Sequence, residues 1–117
     1  MKFTKRKYRN RKVTRNGETY DSIKEADRHA TLKMLERAGK ITKLQRQVKF
    51  ELLPAQKDPN TGRVLERAVT YVADFCYWEN SDKWAYTVED VKGFKTPEYK
   101  LKRKMMLYFH GIRIKET

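Results

Sequence analysis

The run from Ala68 to Trp78 is dense in β-branched and aromatic residues and constrains the fold more than any other part of the chain. Residues of that kind suit a pleated, largely buried surface, so a central strand is expected there. The flanking segments can be read against it. Val13 to Tyr20 alternates loosely around Asn16-Gly17, a pair suited to a type I′ hairpin turn. Asp21-Ser22 opens a helix in which Ile23, Ala26, Ala30 and Met34 recur at helical spacing, and Gly39 stops it. Leu44 to Leu53 has strand character, with Val48, Phe50 and Leu52 facing one way and Lys49 and Glu51 the other, until Pro54. Asp58-Pro59-Asn60-Thr61-Gly62 reads as a loop, and Asn80-Ser81-Asp82 as a turn before a strand from Trp84 to Lys92. Thr96-Pro97 starts a second helix with an apolar stripe of Leu101, Met105 and Tyr108, ended by Gly111. Ile112 to Ile114 reads as a last short strand. The order helix, three strands, helix, strand predicts one α/β domain over 13–117. Its mixed sheet has about four strands flanked by helices, with a small N-terminal hairpin at the edge.

Charge narrows the partners. Lys and Arg number 28 against 15 Asp and Glu, a net charge of +13. Clustered cations are rewarded by phosphates through counterion release, so nucleic acid is the expected partner, ahead of an anionic lipid surface or a merely basic exterior. Residues 1–12 carry Lys5, Arg6, Lys7, Arg9, Arg11 and Lys12 and no acid, and are expected to form a flexible basic arm. The single Cys76 excludes an internal disulfide framework and a zinc site built on paired cysteines. No apolar run approaches the length of a membrane span, and no apolar segment follows the N-terminal cations as in a secretory signal. A soluble, cytoplasmic protein with no membrane partner is the expectation.

Acids inside apolar strands are the informative exceptions. Asp74 interrupts the central strand, where aspartate is disfavoured and costly to bury unpaired. Asp90 and Lys92 project from one face of the following strand, with Glu89 on the other. A hairpin from Ala68 to Lys92 would set Asp74 beside Asp90, and two such carboxylates repel unless a cation lies between them. All-oxygen ligands suit Mg2+ or Mn2+ better than zinc. An ammonium at Lys92 would orient water and balance charge on a phosphoryl oxygen. The bland alternative is a surface pair between Asp90 and Lys92, with Asp74 at a strand edge. Glu25 has two readings: Ser22-Ile23-Lys24-Glu25 matches a capping box, and the same carboxylate could serve a site. His29 is expected to face solvent, and His110 to sit at a helix end against the dipole.

These residues resemble the PD-(D/E)xK nuclease superfamily, in which a strand aspartate precedes an acid-x-lysine element on the next strand and a helix acid comes before both. The predicted order of elements is similar to that superfamily's restriction-endonuclease-like core. More closely, the chain resembles a family of small phage-encoded proteins of this type, through Tyr20 to Ala26, Gln47 to Leu52, Tyr71 to Phe75 and Val88 to Gly93. The resemblance implies metal held by Asp74 and Asp90, with Glu25 joining them, and attacking water positioned by Lys92. Ala73 stands where the motif has proline. It further implies a Mg2+-dependent DNA endonuclease, with Mn2+ substituting, acting in phage DNA replication, recombination or processing in a host cytoplasm. No small-molecule cofactor is expected, and a homodimer is left open.

Gln47 is a candidate to support the site from the first strand, or an exposed strand glutamine. Lys95, Lys100, Arg103 and Lys104 are candidates to track phosphates, or a solvated basic face. Trp78, Trp84 and Tyr86 would stack bases or fill the core. Two other functions stay in view: a nuclease resolving Holliday or branched junctions, and a non-catalytic nucleic-acid-binding protein that keeps the fold.

Overall fold

The computed structural model describes residues 11–81 and 83–117. Most of the basic arm, with Lys5, Arg6, Lys7 and Arg9, lies outside them. β1 (Val13–Arg15) and β2 (Glu18–Tyr20) form the expected hairpin. Its turn holds Asn16 and Gly17 at φ of 54° and 81°, the left-handed geometry a type I′ turn requires. α1 (Ile23–Arg37) starts where the Ser22 hydroxyl accepts from the Glu25 amide at 3.0 Å. β3 (Ile41–Leu53) follows, then a small ribbon of β4 (Gln56–Lys57) and β5 (Val64–Glu66). β6 (Val69–Glu79) and β7 (Ala85–Asp90) precede α2 (Pro97–Met105), which is capped by Thr96 and runs into a π-helical turn at Met106–His110. β8 (Lys115–Glu116) is the last element.

The main sheet is mixed, in the order β3-β6-β7-β8, with only the β7–β8 pair parallel. The central strand is therefore β6, as its composition predicts. Phe75 packs with Leu32 of α1, while its neighbour Cys76 packs with Tyr99 and Met106 of the α2 segment. Successive strand residues face opposite ways, so the two helices cover opposite faces of the sheet. No helix among the described residues is long and apolar enough to cross a membrane.

Several expectations need correction. The loop at Asp58 stands as expected, but it closes a β4–β5 ribbon that was not, with Asp58 Oδ1 accepting from the Asn60 amide at 2.8 Å and Gly62 at φ 76°. α1 buries Glu25, Ala26, His29 and Leu32, while Ile23 and Met34 are exposed. That inner stripe also has helical spacing, but it carries a carboxylate and an imidazole, so hydropathy picks the wrong phase. His29 does not face solvent: its Nδ1 shares a hydrogen bond of 2.6 Å with the Tyr20 hydroxyl, and its ring stacks on Phe75. In the second helix Tyr99 and Met106, seven residues apart and so on one helical face, are buried, whereas Leu101 and Tyr108 are exposed, so the inward stripe has helical spacing in another phase. His110 Nε2 bonds the Glu51 carbonyl at 2.7 Å rather than acting on a helix end alone. Ile112 to Ile114 is not a strand. Ile114 turns into the core, and the ladder to β7 forms one step later, at Lys115 and Glu116.

Candidate active site

Where β6 and β7 run beside the start of α1, a cleft of about 380 Å³ is lined by Glu25, Gln47, Asp74, Asp90 and Lys92. The register pairs Phe75 with Glu89, and one step further it sets Asp74 opposite Asp90. Asp74 Oδ2 accepts from the Val91 amide at 2.9 Å. Burial, then a hydrogen bond and repulsion from Asp90, push the Asp74 carboxyl up to about 7. Asp90 is almost fully buried. Its Oδ2 accepts from the Tyr71 hydroxyl, and its Oδ1 lies 3.3 Å from Lys92 Nζ. β7 ends at Asp90, so Lys92 lies in the following loop rather than on the strand, yet it still reaches the expected carboxylate. The pair is not a surface one: Asp90 is inside, and the ammonium also sits 4.2 Å over the Tyr99 ring. The Lys92 backbone is pinned by the Thr117 carbonyl at 3.1 Å and by Lys24 Nζ at 3.4 Å.

Glu25 caps the start of α1 and also lines the cleft. Its amide takes the Ser22 cap, and its Oε1 accepts from the Asp21 amide at 3.2 Å. Its Oε2 faces the cleft, bonded by Arg46 at 3.2 Å and by Gln47 Nε2 at 3.3 Å. Burial raises the Glu25 carboxyl above its ordinary value and repulsion from Asp74 adds to this, while the Asp21 amide and Arg46 pull it back. Gln47 Nε2 also lies 3.4 Å from Asp74 Oδ1, so this side chain ties the helix acid to the strand acid. Its backbone stands at φ 53°, a left-handed conformation uncommon for a strand glutamine.

Among the described residues no three His, Cys, Asp or Glu side chains converge into a ready-made metal cage. The candidate donor set is the Asp74–Asp90 pair, with Glu25 beside it in the same cleft, bonded to Arg46 and Gln47. Two hard-oxygen ligands fit Mg2+ or Mn2+, ions that bind through one or two carboxylates and keep several waters. A divalent cation would also relieve the repulsion that raises Asp74. Arg46, Tyr71 and Tyr99 escape the sequence reading, because nothing in spacing or composition marks a strand arginine or two core tyrosines as partners of acids. The phosphate candidates divide. Lys95 and Arg103 lean on Glu116, at 4.0 and 2.9 Å, whereas Lys100 and Lys104 are exposed. Arg11 lies beside Ser22 and Gly93, and Lys12 pairs with Asp21 at 3.2 Å, so both stand near the cleft.

The fold and this cleft define a mixed α/β protein with a carboxylate–lysine site. The chain belongs to the DUF1064 family, described as proteins of unknown function, whose family model matches residues 5–115. No curated protein and no solved structure matches it.

Proposed function

We propose that this protein is a metal-dependent DNA endonuclease of the PD-(D/E)xK type that hydrolyses backbone phosphodiesters. The observation that carries the reading is Asp74 and Asp90 opposed in one cleft, with Lys92 Nζ 3.3 Å from Asp90. The element order α1, β3, β6, β7, α2, β8, with the β4–β5 ribbon inserted after β3, is similar to that of a restriction-endonuclease-like core and supports the reading. Bound Mg2+ would supply positive charge to the phosphate and lower the pKa of a water. Asp74 and Asp90 would hold the ion, and the Tyr71 hydroxyl and Val91 amide keep the two carboxylates in place. Lys92 orients the water and balances charge growing on the phosphoryl oxygen. Gln47 and Arg46 fix Glu25 at the cleft wall. The net charge of +13 provides grip that does not depend on sequence.

The test is to incubate the protein with supercoiled, linear, single-stranded and four-way-junction DNA, with and without Mg2+. Metal-dependent cleavage of at least one is expected, and preference for the junction would make it a resolving nuclease. Binding to all four with no cleavage under either condition would leave a nucleic-acid-binding protein that keeps a nuclease-like fold.

A further inference from the structure

Three aromatic side chains of the sheet region are left outside the core. Trp78, Trp84 and Tyr86 are 37%, 49% and 39% exposed. Trp78 pairs across the sheet with Tyr86 on one side and Thr42 on the other, and the Trp78 and Tyr86 rings lie 5.1 Å apart. Trp78 and Trp84 join Thr42 and Lys43 around a hollow of about 390 Å³. Lys43 stands at φ 57° where the β3–β6 register slips, which lifts it out of the ladder. It is exposed and makes no ion pair among the described residues. The hollow thus combines indole faces with an exposed lysine at its rim.

Its position relates it to the cleft. Asp74 and Trp78 are four residues apart on β6, as are Tyr86 and Asp90 on β7. On β7 the even spacing puts Tyr86 and Asp90 on one sheet face, and at the rise of a strand each pair lies about 13 Å apart. Cys76 and Val88 lie between, packed with Met106 and Ile114, so the hollow is a separate site a few nucleotides from the carboxylates.

We infer that this hollow is a stacking subsite for unpaired DNA bases, so that the substrate presents a single-stranded segment beside the cleaved phosphate. The inference rests on the nucleic-acid reading above. Bases in a duplex already cover one another's faces, whereas unpaired bases stack on exposed aromatics whatever their sequence. Lys43 adds a contact for the neighbouring phosphate, and the charge of +13 favours a polyanion over a protein segment.

The two tryptophans of the chain are Trp78 and Trp84, so intrinsic tryptophan fluorescence reads this hollow alone. The full chain is titrated in EDTA with oligothymidylate, with an abasic oligonucleotide of equal length, and with duplex DNA, while anisotropy of labelled DNA follows binding. Oligothymidylate should quench saturably, and the abasic strand and duplex should bind with little quenching. Trp78→Ala and Trp84→Ala should each weaken oligothymidylate binding about 10-fold and leave duplex affinity unchanged. Equal quenching by the abasic strand, binding without quenching, or unchanged oligothymidylate affinity in both variants would overturn the subsite, the last pointing to a protein partner. Absence of any DNA binding would overturn it together with the nuclease reading. Because no metal is present, loss of the nuclease reading alone would leave the quenching intact.

Discussion

Asp74 accepts the Val91 amide at 2.9 Å while burial and Asp90 push its carboxyl up to about 7, well above the ordinary 3.8. The folded state then binds this proton more tightly than the unfolded state, so the group's contribution to stability falls as pH rises from about 4 to about 7. Asp74→Asn removes that penalty and keeps an acceptor for Val91. Without metal, the variant should melt ~5 °C above the wild type near pH 8 and level with it near pH 4. Mg2+ should raise the wild-type Tm at pH 8 and leave the variant unmoved; identical Tm profiles would remove the electrostatic tension from the account. Glu25 offers a second test, since a glutamine in its place still accepts the Asp21 amide as a cap. Glu25→Gln should lose cleavage by roughly 100-fold at nearly unchanged Tm, through loss of charge in the cleft. Wild-type turnover would make Glu25 a capping residue. The gathering of Asp74, Asp90 and Lys92 in one cleft was legible in the sequence, because acids in an apolar strand and an acid-x-lysine step stand out. Glu25 reads first as a helix cap and joins the site through the family resemblance, and for Gln47 a supporting role is one of two alternatives for a strand glutamine. Their partners Arg46 and Tyr71 were not, since a hydrogen bond between distant strands leaves no local pattern.

At the scale of elements, α1 is fastened to the sheet by a charge pair rather than by apolar surface alone. Arg28 donates to both oxygens of Glu89, at 2.6 and 3.0 Å, and Tyr77 and Thr117 add bonds at 2.6 and 3.0 Å. Burial raises the Glu89 carboxyl, but Arg28 and the two hydroxyls outweigh it and hold the group below its usual value. Arg28→Ala would strand a buried carboxylate, which costs about 3 kcal/mol or more. Thermal unfolding should show a Tm lower by ~10 °C or more, and Glu89→Gln in the same chain should recover part of it. A shift within ~2 °C would mean that the helix docks without the pair. This fastening explains why hydropathy misplaces the helix phase: its inward positions are partly polar, and each is matched by a specific partner that hydropathy does not register. The strands are legible because alternation and β-branched content are local. The last strand is misplaced because Ile114 is apolar for the core, while the ladder at Lys115 and Glu116 is set by pairing to β7.

For the molecule as a whole, the charge of +13 surrounds a cleft that is itself acidic, an arrangement suited to drawing a polyanion toward bound cations. Deleting residues 1–10 should leave the Tm unchanged and weaken binding to all DNA sequences alike. It should also flatten log affinity against log salt, because fewer counterions are released. Equal slopes for full-length and shortened chains would give those residues a role other than phosphate contact. The central claim is that Asp74 and Asp90 make the cleft a metal-dependent phosphodiester hydrolase. The most direct measurement follows conversion of supercoiled plasmid to nicked or linear forms by the wild type and by Asp90→Asn, in Mg2+ and in EDTA. The wild type should convert the plasmid in Mg2+ alone, and Asp90→Asn should do so at least ~1,000-fold more slowly with DNA binding retained. Equal conversion by the folded variant, or by the wild type in EDTA, would contradict that claim.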